Sequence, residues 1–301
     1  MAIRIGCGSW ADDAYVGLLY PDGAPKDVRL GGYAHWFERV EVNASSYRTP
    51  SRDTLAAWAD ETPPGFLFDL KLHRAFSDGP QKAAHGPLID RLLHAVQPLI
   101  AAKKLGAFLL TLSPRFGPDR HQLDELDLVA EKLTPHAPLA VELRDRAWVD
   151  GKARTATLDY FRRRQLVWVA LDLPRLEAPQ LLPAIDEVTH PRLTYMRLHG
   201  RNPNYLKAKS AAERHHHDYT ARELQEIATR IQTLATRAGD VHVSVNSHAA
   251  AFAPQAALAL RRLLGQSVPP PLCPERLRPD PISGSAFFAA SPRGQEQTPR
   301  A

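Results

Sequence analysis

The chain has 301 residues, 44% of them hydrophobic and 24% charged, and a net charge of +5. That balance excludes a disordered or fibrous chain and leaves enough length for a large core. No apolar run approaches the ~20 residues that cross a bilayer, and a first strand opening at Ile3 leaves no room for a signal peptide, so a cytoplasmic protein with no membrane partner is expected.

In chain order, eight segments read as strands: Ile3 to Trp10, Arg39 to Tyr47, Phe66 to His73, Ala107 to Leu112, Leu139 to Arg144, Leu166 to Asp172, Leu193 to His199 and Val241 to Asn246. Apolar residues at three- and four-residue spacing place helices at Thr54 to Asp60, Leu88 to Lys104, Leu123 to Leu133 and Gln255 to Leu264. Thr220 followed by Glu223 is a capping box, opening a helix that runs toward Gly239. Four prolines between Asp172 and Leu193 predict irregular structure there. Strand and helix alternating about eight times define the α/β class and predict a single (β/α)₈ TIM-like barrel over residues 1–265. The doubly wound alternative needs a Gly-rich phosphate loop after the first strand, and Gly6-Cys7-Gly8-Ser9-Trp10 lacks its third glycine. Residues 266–301 form a Pro-rich tail expected to be largely disordered, with Phe287-Phe288 able to dock on the barrel.

The strands carry the functional signal. Val40-Glu41-Val42-Asn43, Phe68-Asp69-Leu70-Lys71-Leu72-His73, Val141-Glu142-Leu143-Arg144, Tyr195-Met196-Arg197-Leu198-His199 and Val241-His242-Val243-Ser244-Val245-Asn246 all alternate apolar with polar. Alternate residues of a strand point to opposite faces, and a parallel strand under helices is ordinarily apolar on both. Several strands breaking that rule together predict one polar cavity, which a barrel places at the C-terminal strand ends.

Gly6-Cys-Gly-Ser-Trp10, Tyr20-Pro21, Val40-Glu41-Val42-Asn43 with Tyr47, Trp58 with Thr62-Pro63-Pro64-Gly65-Phe66, and Lys71 form the first half of a recognisable pattern. Glu142-Leu143-Arg144 with Trp148, Arg197-Leu198-His199-Gly200-Arg201-Asn202 and Tyr219-Thr220 with Glu223-Leu224 form the second. Together, over roughly residues 3 to 265, they resemble the YecE-like family (domain of unknown function 72). The resemblance implies a TIM-like barrel and no established reaction. The chain departs from the family pattern where histidines are usual: Ser77-Asp78 follows the third strand, and Asp145 follows Arg144.

These residues suggest an enzyme acting on a small anionic substrate, a phosphorylated sugar or nucleotide-like compound. Glu41 and Glu142 would divide acid and base roles, with His199 as an alternative base. Lys71 would stabilise negative charge or, once desolvated, act as a nucleophile. Arg144, Arg197 and Arg201 suit a planar anion, while Asn43 and Asn246 would orient it. The rings of Trp10, Tyr47 and Trp148 are candidates to stack on a sugar or base. A second reading is a nucleic-acid or nucleotide binding module without turnover. A third is a metal-dependent hydrolase or isomerase with ligands drawn from His73, Glu142, Asp172, His199 and His248; nothing else in the sequence calls for a cofactor. His215-His216-His217 reads as a solvated loop.

Overall fold

The structure, a computed structural model, describes residues 1–247 and 251–270 in full, and beyond them the backbone of Leu277–Pro279 and Ala286–Phe288. Eight parallel strands form one sheet: β1 Ile3–Cys7, β2 Arg39–Val42, β3 Leu67–Lys71, β4 Leu105–Thr111, β5 Leu139–Glu142, β6 Val167–Asp172, β7 Leu193–Leu198 and β8 Asp240–Val245. Their order is β1-β8-β7-β6-β5-β4-β3-β2, so the sheet curls into a nearly closed barrel with β1 and β2 as its two edges. Helices surround it.

The seam between β1 and β2 is held by a side chain. Tyr33, from the helix Arg29–Trp36, takes the Cys7 backbone N–H on its hydroxyl at 2.7 Å and donates to the Arg39 carbonyl at 3.1 Å. The hydroxyl thus replaces a ladder bond that the strands cannot make directly. Their approach is tight: a Cβ on Gly6 would sit 2.2 Å from the Arg39 carbonyl oxygen, so only glycine fits.

The expected strands match in order and number, but β1 and β2 end sooner. After β2, Asn43–Ser46 forms a 3₁₀ turn, because the Ser45 and Ser46 hydroxyls bond back to the Val42 and Asn43 carbonyls at 2.6 and 2.8 Å. Such local bonds compete with ladder pairing. The single helix expected over 88 to 104 is two, Pro87–Ala95 and Gln97–Ala101; Pro98 has no N–H to continue the first. Two helices form where the sequence signal is weak. Arg29–Trp36 carries Gly31-Gly32, and Ala153–Arg164 is mostly polar yet buries Leu158 and Phe161. The capping box on Thr220 and Glu223 forms as expected, opening the helix Ala221–Ala235.

Between β6 and β7 no helix forms, in keeping with the prolines. The segment is pinned instead through Thr189, whose hydroxyl receives the Trp168 N–H at 2.9 Å and donates to the Leu166 carbonyl at 2.7 Å. Leu181, Leu182 and Ile185 there fill the space a helix would cover. The expected disordered tail falls largely outside the described residues. Within it, the backbone of Leu277–Pro279 pairs antiparallel with Ala286–Phe288; the docking expected of Phe287-Phe288 concerns side chains outside the described set.

Candidate functional site

The register puts Arg39 and Glu41 of β2, Asp69 and Lys71 of β3, Glu142 of β5, Tyr195 and Arg197 of β7, and His242 of β8 inside the barrel. All but Lys71 form one continuous chain of contacts along its axis. His242 Nδ1 lies 3.0 Å from Asp69 Oδ2, which is paired with Arg39 at 2.6 Å. Arg39 donates to the Val243 carbonyl at 2.6 Å and to the Tyr195 hydroxyl at 2.7 Å. Tyr195 donates to Glu41 at 3.0 Å, and Glu41 takes two bonds from Arg197 at 3.0 and 2.7 Å. Arg197 reaches on to Glu142 in a close ion pair, Arg144 Nε donates to the other Glu142 oxygen at 2.6 Å, and His199 Nε2 stands 3.5 Å away.

Arg39, Glu41 and Asp69 are fully enclosed, with Glu142, Arg197 and His199 nearly so. Burial alone would raise the carboxyl pKa values, but the cations outweigh it. Arg197, with Arg39 and Lys71, holds Glu41 at about 2. His242 and Arg39 hold Asp69 at about 2, and Arg144, Arg197 and His199 keep Glu142 well below the usual carboxylate range. Burial pushes His199 down to about 4, so its imidazole is neutral near pH 7. Burial, then the charges of Arg197 and Arg144, lowers Lys71 to about 8 against the pull of Glu142 and Glu41.

Above this chain, at the C-terminal strand ends, lies a cavity of about 560 Å³, within the ~300–1,000 Å³ usual for small-ligand sites. Its lining brings together Asn43, Tyr47, Lys71, Arg144, Arg197, His199 and Asn246, and adds Arg214 and His215. Asn43 Nδ2 donates to Asn246 Oδ1 at 3.0 Å, and the ring of Tyr47 stands 75% exposed at the rim. Among the described residues, four permanently or largely cationic side chains face the cavity and no carboxylate does. Arg144 spends only its Nε on Glu142. Arg214 sits over the Tyr205 ring at 5.5 Å, with no carboxylate partner among the described residues.

Several expected members lie elsewhere. Arg201 turns away to Asp172 and Glu226, each at 2.8 Å, beside a separate cavity near residues 173–184. Trp10 packs edge-on against Trp58 at 4.7 Å. Trp148 is buried, stacked on Phe116 and donating to its carbonyl at 2.6 Å. Local packing claims both indoles, since each follows a strand end but enters the layer outside the barrel. Glu41 lies beneath Arg197 and does not line the cavity, and Glu142 is sealed by two guanidinium groups; carboxylates so strongly held as anions are poor general acids near pH 7.

The metal reading loses its ligands for the same kind of reason. Asp172 is occupied by Arg201, Arg230 and the Tyr219 hydroxyl. His73 Nδ1 accepts the Ala75 N–H at 3.2 Å, and His248 lies outside the described residues. Among the described residues no three His, Cys, Asp or Glu side chains gather closely enough to hold a metal. Asp78 forms an exposed ion pair with Arg115 at 3.7 Å, and Asp145 caps the turn Arg146–Trp148; neither stands in the cavity.

The interior partners Arg39, Asp69, Tyr195 and His242 were missed as site members, although strand alternation marks all four. Arg214 and His215 carried no such signal, because a loop has no period. The histidine tract is partly packed: His215 Nδ1 contacts the His199 carbonyl at 2.9 Å and His217 pairs with Glu223 at 3.1 Å, while His216 is exposed with its ring stacked on Phe252.

A parallel eight-stranded barrel with a cationic, neutral-amide mouth over a buried ion chain defines a TIM-type barrel with one polar site at the strand ends. Residues 4–279 match the family described as "Protein of unknown function DUF72", and the chain belongs to that family. It is 24% identical to the UPF0759 protein YunF of Bacillus subtilis over 259 residues, spanning 82% of this chain and 89% of YunF. It is 32% identical to the UPF0759 protein YecE of Escherichia coli (strain K12) over 123 residues, 37% of this chain and 44% of YecE. Two crystal structures share the fold. A DUF72 family protein of Enterococcus faecalis V583 is 26% identical with a TM-score of 0.79, over 92% of this chain and all of that one. One of Thermotoga maritima MSB8 is 25% identical with a TM-score of 0.78, over 88% and 100%.

Proposed function

We propose that the barrel mouth is the active site of an enzyme acting on a small anionic substrate, a phosphorylated or carboxylated compound. One observation carries this reading: Lys71, Arg144, Arg197 and Arg214 face a cavity that no carboxylate of the described residues enters. Glu41 and Glu142 neutralise Arg197 from below, so the residual positive charge is concentrated where a ligand would sit. Arg144 and Arg214 hold the anion, and Asn43 and Asn246 orient it. Proton transfer near neutral pH falls to Lys71, whose pKa is about 8, and to the neutral imidazole of His199. Glu41 and Glu142 serve to fix Arg197.

Thermal unfolding with inorganic phosphate, sugar phosphates and nucleotides tests it. A ligand that binds only the native state raises the midpoint. The expected result is a rise with phosphorylated compounds that is lost in the Arg144→Ala, Arg214→Ala double variant. No rise with any anion would sink the reading.

The exposed ring of Tyr47 at the rim favours a second reading, a single-stranded nucleic-acid binder in which bases stack on the ring and cations track the backbone. Oligonucleotide binding that weakens steeply with salt and with Tyr47→Ala, without response to mononucleotides, would move the assignment there.

A further inference from the structure

Among the described residues three lysines are withdrawn from solvent, and two of them are visibly structural. Lys104 Nζ donates to the Ala59 and Thr62 carbonyls and to the Thr62 hydroxyl. Lys132 Nζ donates to the Ala84 carbonyl at 3.0 Å. Lys71, at the end of β3, is different. It lines the mouth cavity, yet its amine has no hydrogen-bond or ion-pair partner among the described residues. The inner-face carboxylates are already committed, Glu41 to Tyr195 and Arg197, Glu142 to Arg197 and Arg144. A half-buried ammonium without an acceptor is unfavourable, so this amine gives up its proton, and frees its lone pair, more readily than an exposed lysine. Arg144 and Arg197 beside it disfavour its protonation further.

Resting on the anionic-substrate reading above, we propose that Lys71 is a nucleophile that forms an imine with a small anionic aldehyde or ketone. The Nζ lone pair attacks the carbonyl carbon, and one N–H proton passes to the carbonyl oxygen to give a carbinolamine. The second N–H proton then leaves with the hydroxyl as water while the C=N bond forms. One amine and one carbonyl yield one imine and one water, so no oxidant or reductant is needed. His199 lines the same cavity, and its Nδ1 is buried with no hydrogen-bond partner among the described residues, which suits it to relay the second proton. Arg144 and Arg214 would hold the substrate's phosphate or carboxylate, which selects anionic carbonyl compounds over neutral ones.

The test uses the full chain, with glyoxylate and dihydroxyacetone phosphate as probes, each followed by borohydride and peptide mass mapping. The expected product is one adduct on Lys71, of the probe's mass less one oxygen atom. Its formation should exceed labelling of exposed lysines by about tenfold or more, given the larger neutral fraction of a lowered lysine. The trapping rate should rise with pH through about 8. Acetone, which has no anionic group, should label Lys71 far less. Lys71→Met should lose the adduct without lowering the unfolding midpoint, which separates chemistry from misfolding. If phosphate raises the midpoint of the wild type but neither probe is trapped at Lys71, the imine is overturned and the anion site stands. If adducts are spread over surface lysines, the imine is equally overturned. An adduct at Lys71 without any anion response would keep the nucleophile and remove the anion-holding role of the arginines.

Discussion

Two carboxylate–arginine pairs of equal length show what burial does at single residues. Asp69 meets Arg39 at 2.6 Å with both side chains fully enclosed, and Asp240 meets Arg4 at 2.6 Å with both partly in solvent. Removing one partner of a buried pair strands the other charge, at a cost of about 3–5 kcal/mol. A solvated pair contributes about 1 kcal/mol or less. Asp69→Ala should therefore lower stability several times more than Asp240→Ala, as read by urea unfolding; equal losses would mean that Arg39 finds water. Tyr33→Phe isolates another effect. It removes the hydroxyl across the seam and leaves the Cys7 N–H and Arg39 carbonyl without that partner. Each buried orphan costs about 1–3 kcal/mol, and amide exchange at Cys7 should accelerate even under conditions where the rest of the barrel is unchanged.

Elements differ in how much of their formation is local. The helix Ala221–Ala235 has both its capping box and its apolar stripe in the sequence. The helix Arg29–Trp36 has no capping box and carries two glycines, and forms because Leu30, Tyr33 and Trp36, at three-residue spacing, are buried together in the core. Its two glycines make a paired prediction. A Cβ on Gly31 would meet only the Glu61 side chain at 3.6 Å, while one on Gly32 would stand 2.9 Å from the Tyr20 ring. Alanine is favoured over glycine inside a helix by about 1 kcal/mol. Gly31→Ala should thus raise the thermal midpoint, whereas Gly32→Ala should gain less or lose stability, since Tyr20 is buried and its hydroxyl is bound to the Trp10 carbonyl at 2.7 Å. A larger gain at position 32 than at 31 would contradict the packing.

For the whole molecule, the buried ion chain sets the pH dependence. Glu41 and Asp69 drop from usual values of 4.5 and 3.8 to about 2 on folding, and Glu142 also falls well below its usual range. A carboxylate with a depressed folded pKa contributes stability that is complete above its unfolded pKa and disappears as pH falls through the folded one. The urea midpoint should therefore fall between about pH 4.5 and 2. Lys71 shifts in the same direction, at alkaline pH. Its folded pKa of about 8 lies below the usual 10.5, so between those values the unfolded chain binds the extra proton and stability rises with pH. That rise should be absent in Lys71→Met, and its persistence there would assign it to another group.

Strand number, strand order along the chain and the polar inner faces were legible in the sequence, because a strand's side chains alternate and Glu41, Lys71, Glu142 and Arg197 break an otherwise apolar rule. Residue chemistry also pointed to a cationic cavity, which the lining by Lys71, Arg144 and Arg197 matches. What each charge does was settled only in three dimensions. Arg39 bonds across 204 residues to the Val243 carbonyl, and Arg197 bonds across 156 residues to Glu41. No local pattern encodes such partners, since they depend on how the barrel closes. Closure turned Glu41 and Glu142 from acid–base candidates into anchors for Arg197, drew Arg201 and Trp148 out of the mouth, and brought in Arg214 and His215 from a loop without period. It also left Lys71 facing the cavity without an acceptor among the described residues. Sequence period determines which way a side chain points; only the closed barrel decides what it meets there.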